Sequence, residues 1–338
     1  MFLELLQNVL SFFFHTLIII IGMIAVISTI AYFATRNKKP AKHLEVEELN
    51  ETFQNQKAAI EDLISDEKMQ KSLKKLRKKM DPNEIKQKPK VFVLDFNGDI
   101  KASHMDQLRE EITTVLGVAK PNDEVVVKVE SPGGMVHGYG LAAAQLKRIR
   151  DAGIPLTICV DKVAASGGYL MACVGNKILA SPFALIGSIG VVAQVPNFNK
   201  LLKKHDVDYK EYTAGDYKRT VSVFGEITEK GEEKFRQQLE LTHQLFKTFV
   251  AKFRPQLNMS EIATGEFWYG ETALNLKLVD EICTSDEYLT KKLKDYQVLS
   301  LTLKKKENLS DKLSHILGSV TSKLFDRFME QNSNTKSL

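Results

Sequence analysis

A chain of 338 residues with 43% apolar and 26% charged side chains has the composition of a globular protein with a sizeable core, in one large domain or two ordinary ones. Its net charge of +5 is mild, and its three cysteines, Cys159, Cys173 and Cys283, are widely spaced. The absence of CxxC and of His/Cys clusters at ligand spacing excludes the common zinc sites and implies no metal, so the three thiols read as packing residues.

No Asp, Glu, Lys or Arg occurs from Leu5 to Tyr32, and LIIIIGMIAVISTIAYFA (17–34) is strongly apolar. About 20 such residues cross a ~30 Å hydrocarbon core, so residues 9–34 are expected to form one transmembrane helix in contact with lipid. A cleaved signal peptide fits less well, because a basic leading region is missing and the apolar run is too long. Arg36, Lys38, Lys39 and Lys42 follow the segment and no Lys or Arg precedes it, which places the C-terminal side in the cytoplasm by the positive-inside rule.

Residues 35–88 read as a basic helical connector. Its stretch KMQKSLKKLRKKM (68–80) holds seven Lys or Arg and no acid. A solvated helix face accounts for such a run more readily than a surface for anionic lipid or nucleic acid, and no nucleic-acid partner is expected. Two prolines in DPNEIKQKPK (81–90) end the connector, and a folded domain is assigned to 89–300.

Within that domain VFVLDF is a buried-type strand and 104–119 a helix; 124–130 is a strand and 138–150 a helix. A strand over 154–160, a helix beginning at 167 and a strand over 177–180 follow, and 227–253 makes one long amphipathic helix. The alternation predicts an α/β domain built of parallel βαβ units. From Leu309 to Phe328 the apolar positions share one helical face, so 301–338 reads as an amphipathic C-terminal helix or tail.

The chain contains no GxxxxGK[ST], no GxGxxG after a strand, no HExxH and no nucleophile elbow of the GxSxG type. Three glycine-rich turns remain, each after a strand: SPGG (131–134), AASGG (164–168) and GSIGV (187–191). Turns after parallel strands gather at one sheet edge, where ligand sites form. Ser166 stands there among alanines and glycines, either as an inert turn residue or as a nucleophile with room for a substrate backbone. First-turn helix amides beside it could hold an oxyanion. No histidine makes a convincing base, although His137 follows SPGG closely. A desolvated lysine is the alternative base. Lys218 lies in TAGDYKRT among small and hydroxyl residues, yet among so many lysines its spacing alone reads as solvated charge.

Taken together and in order, SPGG, AASGGYLMA, GSIGV and AGDYKR resemble the signal peptide peptidase A family of membrane serine proteases across residues 91–282. KVESPGGMVHGYGLAA and DKVAASGGYLMACV are most similar to a single-domain branch of that family with an N-terminal membrane helix. The resemblance implies a ClpP/crotonase-like fold and a Ser–Lys dyad hydrolysing peptide bonds. It implies Ser166 as nucleophile, Lys218 as general base, Ser188 as the hydroxyl that holds that lysine, and Gly133 and Gly167 as oxyanion-hole amides. Lys162 is the fallback base, while His137 and Asp161 are neighbours without a role.

The resemblance further implies a homo-oligomer whose active sites are shared between protomers, no cofactor, and a bacterial inner-membrane location with the site facing the periplasm, against the positive-inside reading. One position departs from the family: KLVDEI (277–282) has Lys277 where glycine is usual. Two rivals remain, a crotonase-fold enzyme acting on acyl-CoA and a catalytically silent membrane scaffold of the same fold.

Overall fold

The computed structural model describes residues 42–79 and 82–305, with a few helical positions between 11 and 23. The segment 9–34 expected to span a membrane therefore falls largely outside the described residues, as does the amphipathic tail beyond residue 305. Among the described residues no helix is long and apolar enough to cross a membrane. Residues 44–303 form one compact unit; residues 1–43 with 304–338 are assigned to a second, of which isolated helical positions and the strand residues 42–43 and 304–305 are described.

Ten strands and eleven helices make up the described chain. The strands are β1 (Lys42–Glu48), β2 (Lys90–Asn97), β3 (Glu124–Glu130), β4 (Leu156–Val160), β5 (Val163–Ala165), β6 (Lys177–Ala180), β7 (Leu185–Gly187), β8 (Phe267–Tyr269), β9 (Glu281–Ile282) and β10 (Gln297–Lys305). Seven form a sheet in the order β1-β10-β2-β3-β4-β6-β9, parallel at every pairing from β10 to β9. The sequence-derived α/β domain with parallel βαβ units is thus the observed architecture. The sheet also takes in residues 42–48, which lie inside the stretch read as a connector.

The helices are α1 (Leu49–Ile64), α2 (Glu67–Lys79), α3 (Pro82–Gln87), α4 (Met105–Leu116), α5 (Val136–Asp151), α6 (Gly167–Ala172), α7 (Asn199–Lys204), α8 (Glu229–Phe253), α9 (Met259–Ile262), α10 (Gly270–Asn275) and α11 (Ser285–Lys292). Strands β2, β3 and β4 are nearly continuous apolar runs because both sheet faces are covered. Phe92, Leu94 and Phe96 alternate with Val91 and Val93, and the two sets enter different cores. The larger core holds the apolar faces of α4, α5 and α6, with Phe246 and Val250 of α8; the smaller holds Tyr288 and Leu289 of α11. All three cysteines are buried and unpaired, as packing residues should be.

Two buried charges fix the outer elements. Arg254, at the end of α8, pairs with Asp280 at 2.8 Å and donates to the Lys277 carbonyl at 2.9 Å. Glu124 accepts from Thr157 and Tyr288, each at 2.6 Å, and pairs with Lys292 at 2.6 Å, which seats α11 on β3 and β4. Buried charges persist where partners satisfy them in this way.

Candidate active site

A second, three-stranded sheet branches from the end of β3. Ser131 bridges Ala164 in parallel, β5 pairs β7 in parallel, and β7 pairs β8 antiparallel. Ala165 stands opposite Gly187 in that register. The next residues, Ser166 and Ser188, therefore leave their strands side by side, and both have φ 52°. A serine in this region is strained by roughly 1–2 kcal/mol, so the surrounding structure must hold it there. The Ser166 N–H donates to the Gly187 carbonyl at 2.8 Å, and the Ser166 carbonyl accepts from Leu170 N at 2.9 Å. The Ser188 N–H donates to the Glu266 carbonyl at 2.6 Å.

Ser166 is the residue before α6, so the Gly167 N–H occupies the first helical position, where no intrahelical acceptor exists. A Cβ on Gly167 would lie 2.3 Å from Tyr139 Cγ, so only glycine lets α6 pack this closely on α5. Gly133 of the SPGG turn comes as near on the other side. It has φ +91°, and a Cβ there would be 2.7 Å from both Gly167 N and Ser166 Cβ.

The Gly133 N–H does not stand free: it donates to Ser131 Oγ at 3.1 Å. Ser131 Oγ lies 2.6 Å from Tyr139 Oη, which donates to the Asp99 carbonyl at 2.7 Å. Tyr139 has one hydroxyl proton, so Ser131 must donate to it. The result is a directed chain from the Gly133 amide through two buried hydroxyls to the Asp99 carbonyl. Burial pushes the Tyr139 phenol above its ordinary value, which keeps it a donor.

A cavity of about 750 Å³ opens beside these turns and is lined by Gly133, Ser166, Gly167 and Ser188. Leu170, Leu245, Phe246, Phe249, Ile100 and Val136 make much of its wall apolar. The sequence reading missed the part α8 plays in that wall, although the amphipathic pattern of 227–253 carried the signal. It also missed His243 of α8, whose Nε2 donates to the Ile189 carbonyl at 3.2 Å and ties the helix to the turn carrying Ser188.

Four of the five sequence-derived site residues thus meet around one cavity. Lys218 does not join them. It is exposed in the long excursion between β7 and α8, and among the described residues it neither lines the cavity nor hydrogen-bonds to Ser166 or Ser188. Lys162 is held at 2.9 Å by Glu130 on the surface, and His137 is exposed at the start of α5. Asp161 accepts from the Ser285 N–H and hydroxyl, which makes it a tie between β4 and α11.

Two family models together span nearly all of the described chain: peptidase family S49 N-terminal over residues 4–146 and peptidase family S49 over residues 148–299. The chain is 49% identical over 316 residues to the "Probable protease SohB" of Haemophilus influenzae, covering 89% of this chain and 90% of that one. The chain belongs to peptidase family S49. A protein of the same printed name from Buchnera aphidicola of Schlechtendalia chinensis is 45% identical, with 85% of this chain and 99% of the relative covered. One from Buchnera aphidicola of Acyrthosiphon pisum is 51% identical over 242 residues, 70% of this chain and 72% of the relative. The three glycine-rich turns at 131–134, 164–168 and 187–191 converge on the cavity.

Proposed function

We propose that this S49 peptidase is a serine endopeptidase of ClpP/crotonase-like fold, anchored in the bacterial inner membrane by residues 9–34, that cleaves extended apolar peptides or membrane-protein fragments. The observation that carries the reading is Ser166: a serine held at positive φ between a strand and a helix, on the rim of an apolar cavity, with glycines on both sides. In the reaction Ser166 Oγ attacks the substrate carbonyl while the neutral amine of Lys218 takes its proton. The oxyanion of the tetrahedral intermediate accepts from the Gly167 N–H and then from the Gly133 N–H, which must turn partly from Ser131 Oγ. Gly167 therefore bears the larger share. The lysine returns its proton to the leaving amine, and water, deprotonated by the same lysine, releases the acyl group. Ser188 holds the lysine amine in line.

Because Lys218 does not line the cavity of its own chain, the dyad is completed by the lysine of a neighbouring protomer in a homo-oligomer. No cofactor takes part. The exposed excursion that carries Lys218, with Tyr212, Tyr217 and Phe224 on its surface, suits such a reach across an interface. The test mixes inactive Ser166→Ala and Lys218→Ala chains before assembly in mild detergent. Recovery of turnover on an apolar fluorogenic peptide supports the shared site. Two inactive parents with an inactive mixture, beside an active wild type, refute it. Wild type indistinguishable from Ser166→Ala refutes the nucleophile.

A further inference from the structure

Helices α1 and α2 form a hairpin whose closed side and open side differ sharply. On the closed side the Arg77 guanidinium spans Glu61 at 2.8 Å and Asp62 at 3.1 Å, so both acids are neutralised. Gln70 adds hydrogen bonds to the carbonyls of Asp62 and Ser65 at 2.6 and 3.1 Å. At about 100° per residue, Phe53, Ile60 and Ile64 share a stripe turned well away from Asp62. That stripe is bare toward the bend, with Phe53 39% exposed, Ile60 60% and Ile64 77%; beside it Leu63 is 86% exposed, and Met69 at the start of α2 56%. Lys57, Lys68, Lys71, Lys74 and Lys75 are exposed along the same hairpin. Asp66, which caps Met69 N at 2.8 Å, and Glu67 are the opposing charges near the bend.

We infer that this hairpin is a docking element for an anionic bilayer surface, its apolar bend entering the headgroup layer and its lysines meeting lipid phosphates. Three independent observations point to lipid. Exposed aliphatic side chains next to lysines are the pattern of interfacial helices. The charges are complementary to an anionic leaflet, where each lysine strengthens attachment roughly fivefold. The charge-free stretch from Leu5 to Tyr32 lies close ahead in the chain, and residues 35–41 span at most roughly 25 Å at full extension. The inference deepens the anchoring proposed above and is independent of the peptidase chemistry.

The experiment uses the full chain with Trp268→Phe and Leu63→Trp, so that one indole reports from the exposed bend. It is reconstituted in vesicles of phosphatidylcholine alone or with 30% phosphatidylglycerol, each with brominated acyl chains as quenchers. The expected result is a blue-shifted, quenched indole with phosphatidylglycerol. Both signals should fall severalfold in phosphatidylcholine, in 1 M salt, or after Lys68, Lys71, Lys74 and Lys75→Gln. An indole equally unquenched in both vesicles overturns the inference. So does protection that follows protein concentration or added RNA rather than lipid charge, which would assign the face to a second copy or to nucleic acid. Flotation separates the two readings: a chain that fails to float with phosphatidylcholine refutes the anchor alone, and salt-sensitive flotation with phosphatidylglycerol then still decides the hairpin.

Discussion

Replacing Tyr139 with phenylalanine removes one oxygen from the interior and nothing else of consequence. The ring stays packed edge-on to Phe96 at 6.1 Å, and both Tyr139 and Ser131 are fully buried. Of the two partners lost, the Asp99 carbonyl belongs to an exposed turn and regains water. The Ser131 hydroxyl proton has no such recourse. A buried donor left without an acceptor costs about 1–3 kcal/mol, so Tyr139→Phe should destabilise the chain by roughly 2 kcal/mol. Urea unfolding of the full chain in mild detergent measures it, read from the fluorescence of Trp268, the sole tryptophan. Ser131→Ala removes the same donor, so the double variant should cost less than the sum of the two by at least about 0.5 kcal/mol. A Tyr139→Phe chain within about 0.5 kcal/mol of wild type, or strictly additive costs, would refute the directed chain of hydroxyls.

Three further outcomes follow from single positions. Lys277 sits at φ 63°, so Lys277→Gly relieves roughly 1–2 kcal/mol of strain against about 0.4–1 kcal/mol of added unfolded-chain entropy; chemical denaturation should show a net gain below about 1.5 kcal/mol. Gly187→Ala meets a φ of +105° and the Trp268 ring at 2.9 Å; a loss of roughly 2–4 kcal/mol with a shifted Trp268 emission is expected, and an unchanged melting curve would contradict it. Glu111 is 1% exposed with Oε2 unpartnered, and burial raises its carboxyl above the ordinary 4.5. The folded state then binds the extra proton, so this group's contribution is complete below pH 4.5 and is lost as pH rises through the raised value. Wild-type stability minus that of Glu111→Gln should therefore fall as pH rises, and a flat or rising difference would exclude the effect.

The large sheet was legible because β2, β3 and β4 are long apolar runs separated by helices of ordinary length. The small sheet was not: VAA, LIG and FWY are three-residue strands, too short for any periodicity, and β8 joins β7 from some 80 residues away. Nor could β1 and β10 be placed, since each depends on a neighbour distant in sequence. Of the site, Ser166 and its glycines announced themselves through side chains too small for packing. The link from Ser131 to Tyr139 gave no signal, because nothing in the spacing of a helix tyrosine reveals which hydroxyl it will meet. Lys277 was conspicuous only through the resemblance, and it stands in a left-handed backbone that glycine adopts without strain. Lys218 rested on resemblance alone, and its own surroundings in the chain remain those of an exposed lysine.

The parallel pairing of β5 with β7 has a consequence for how this protein can change over time. Ala165 opposite Gly187 acts as a ruler, and one step along it displaces Ser188 from Ser166 by about 3.3 Å and reverses the face it presents. Length variation is better tolerated in the exposed excursion that follows Ser188 and carries Lys218. A one-residue insertion or deletion inside 163–166 or 185–188 would separate the two serines while leaving every residue type intact. Descendants of this sequence must keep the length of these eight positions as strictly as the identity of the two serines.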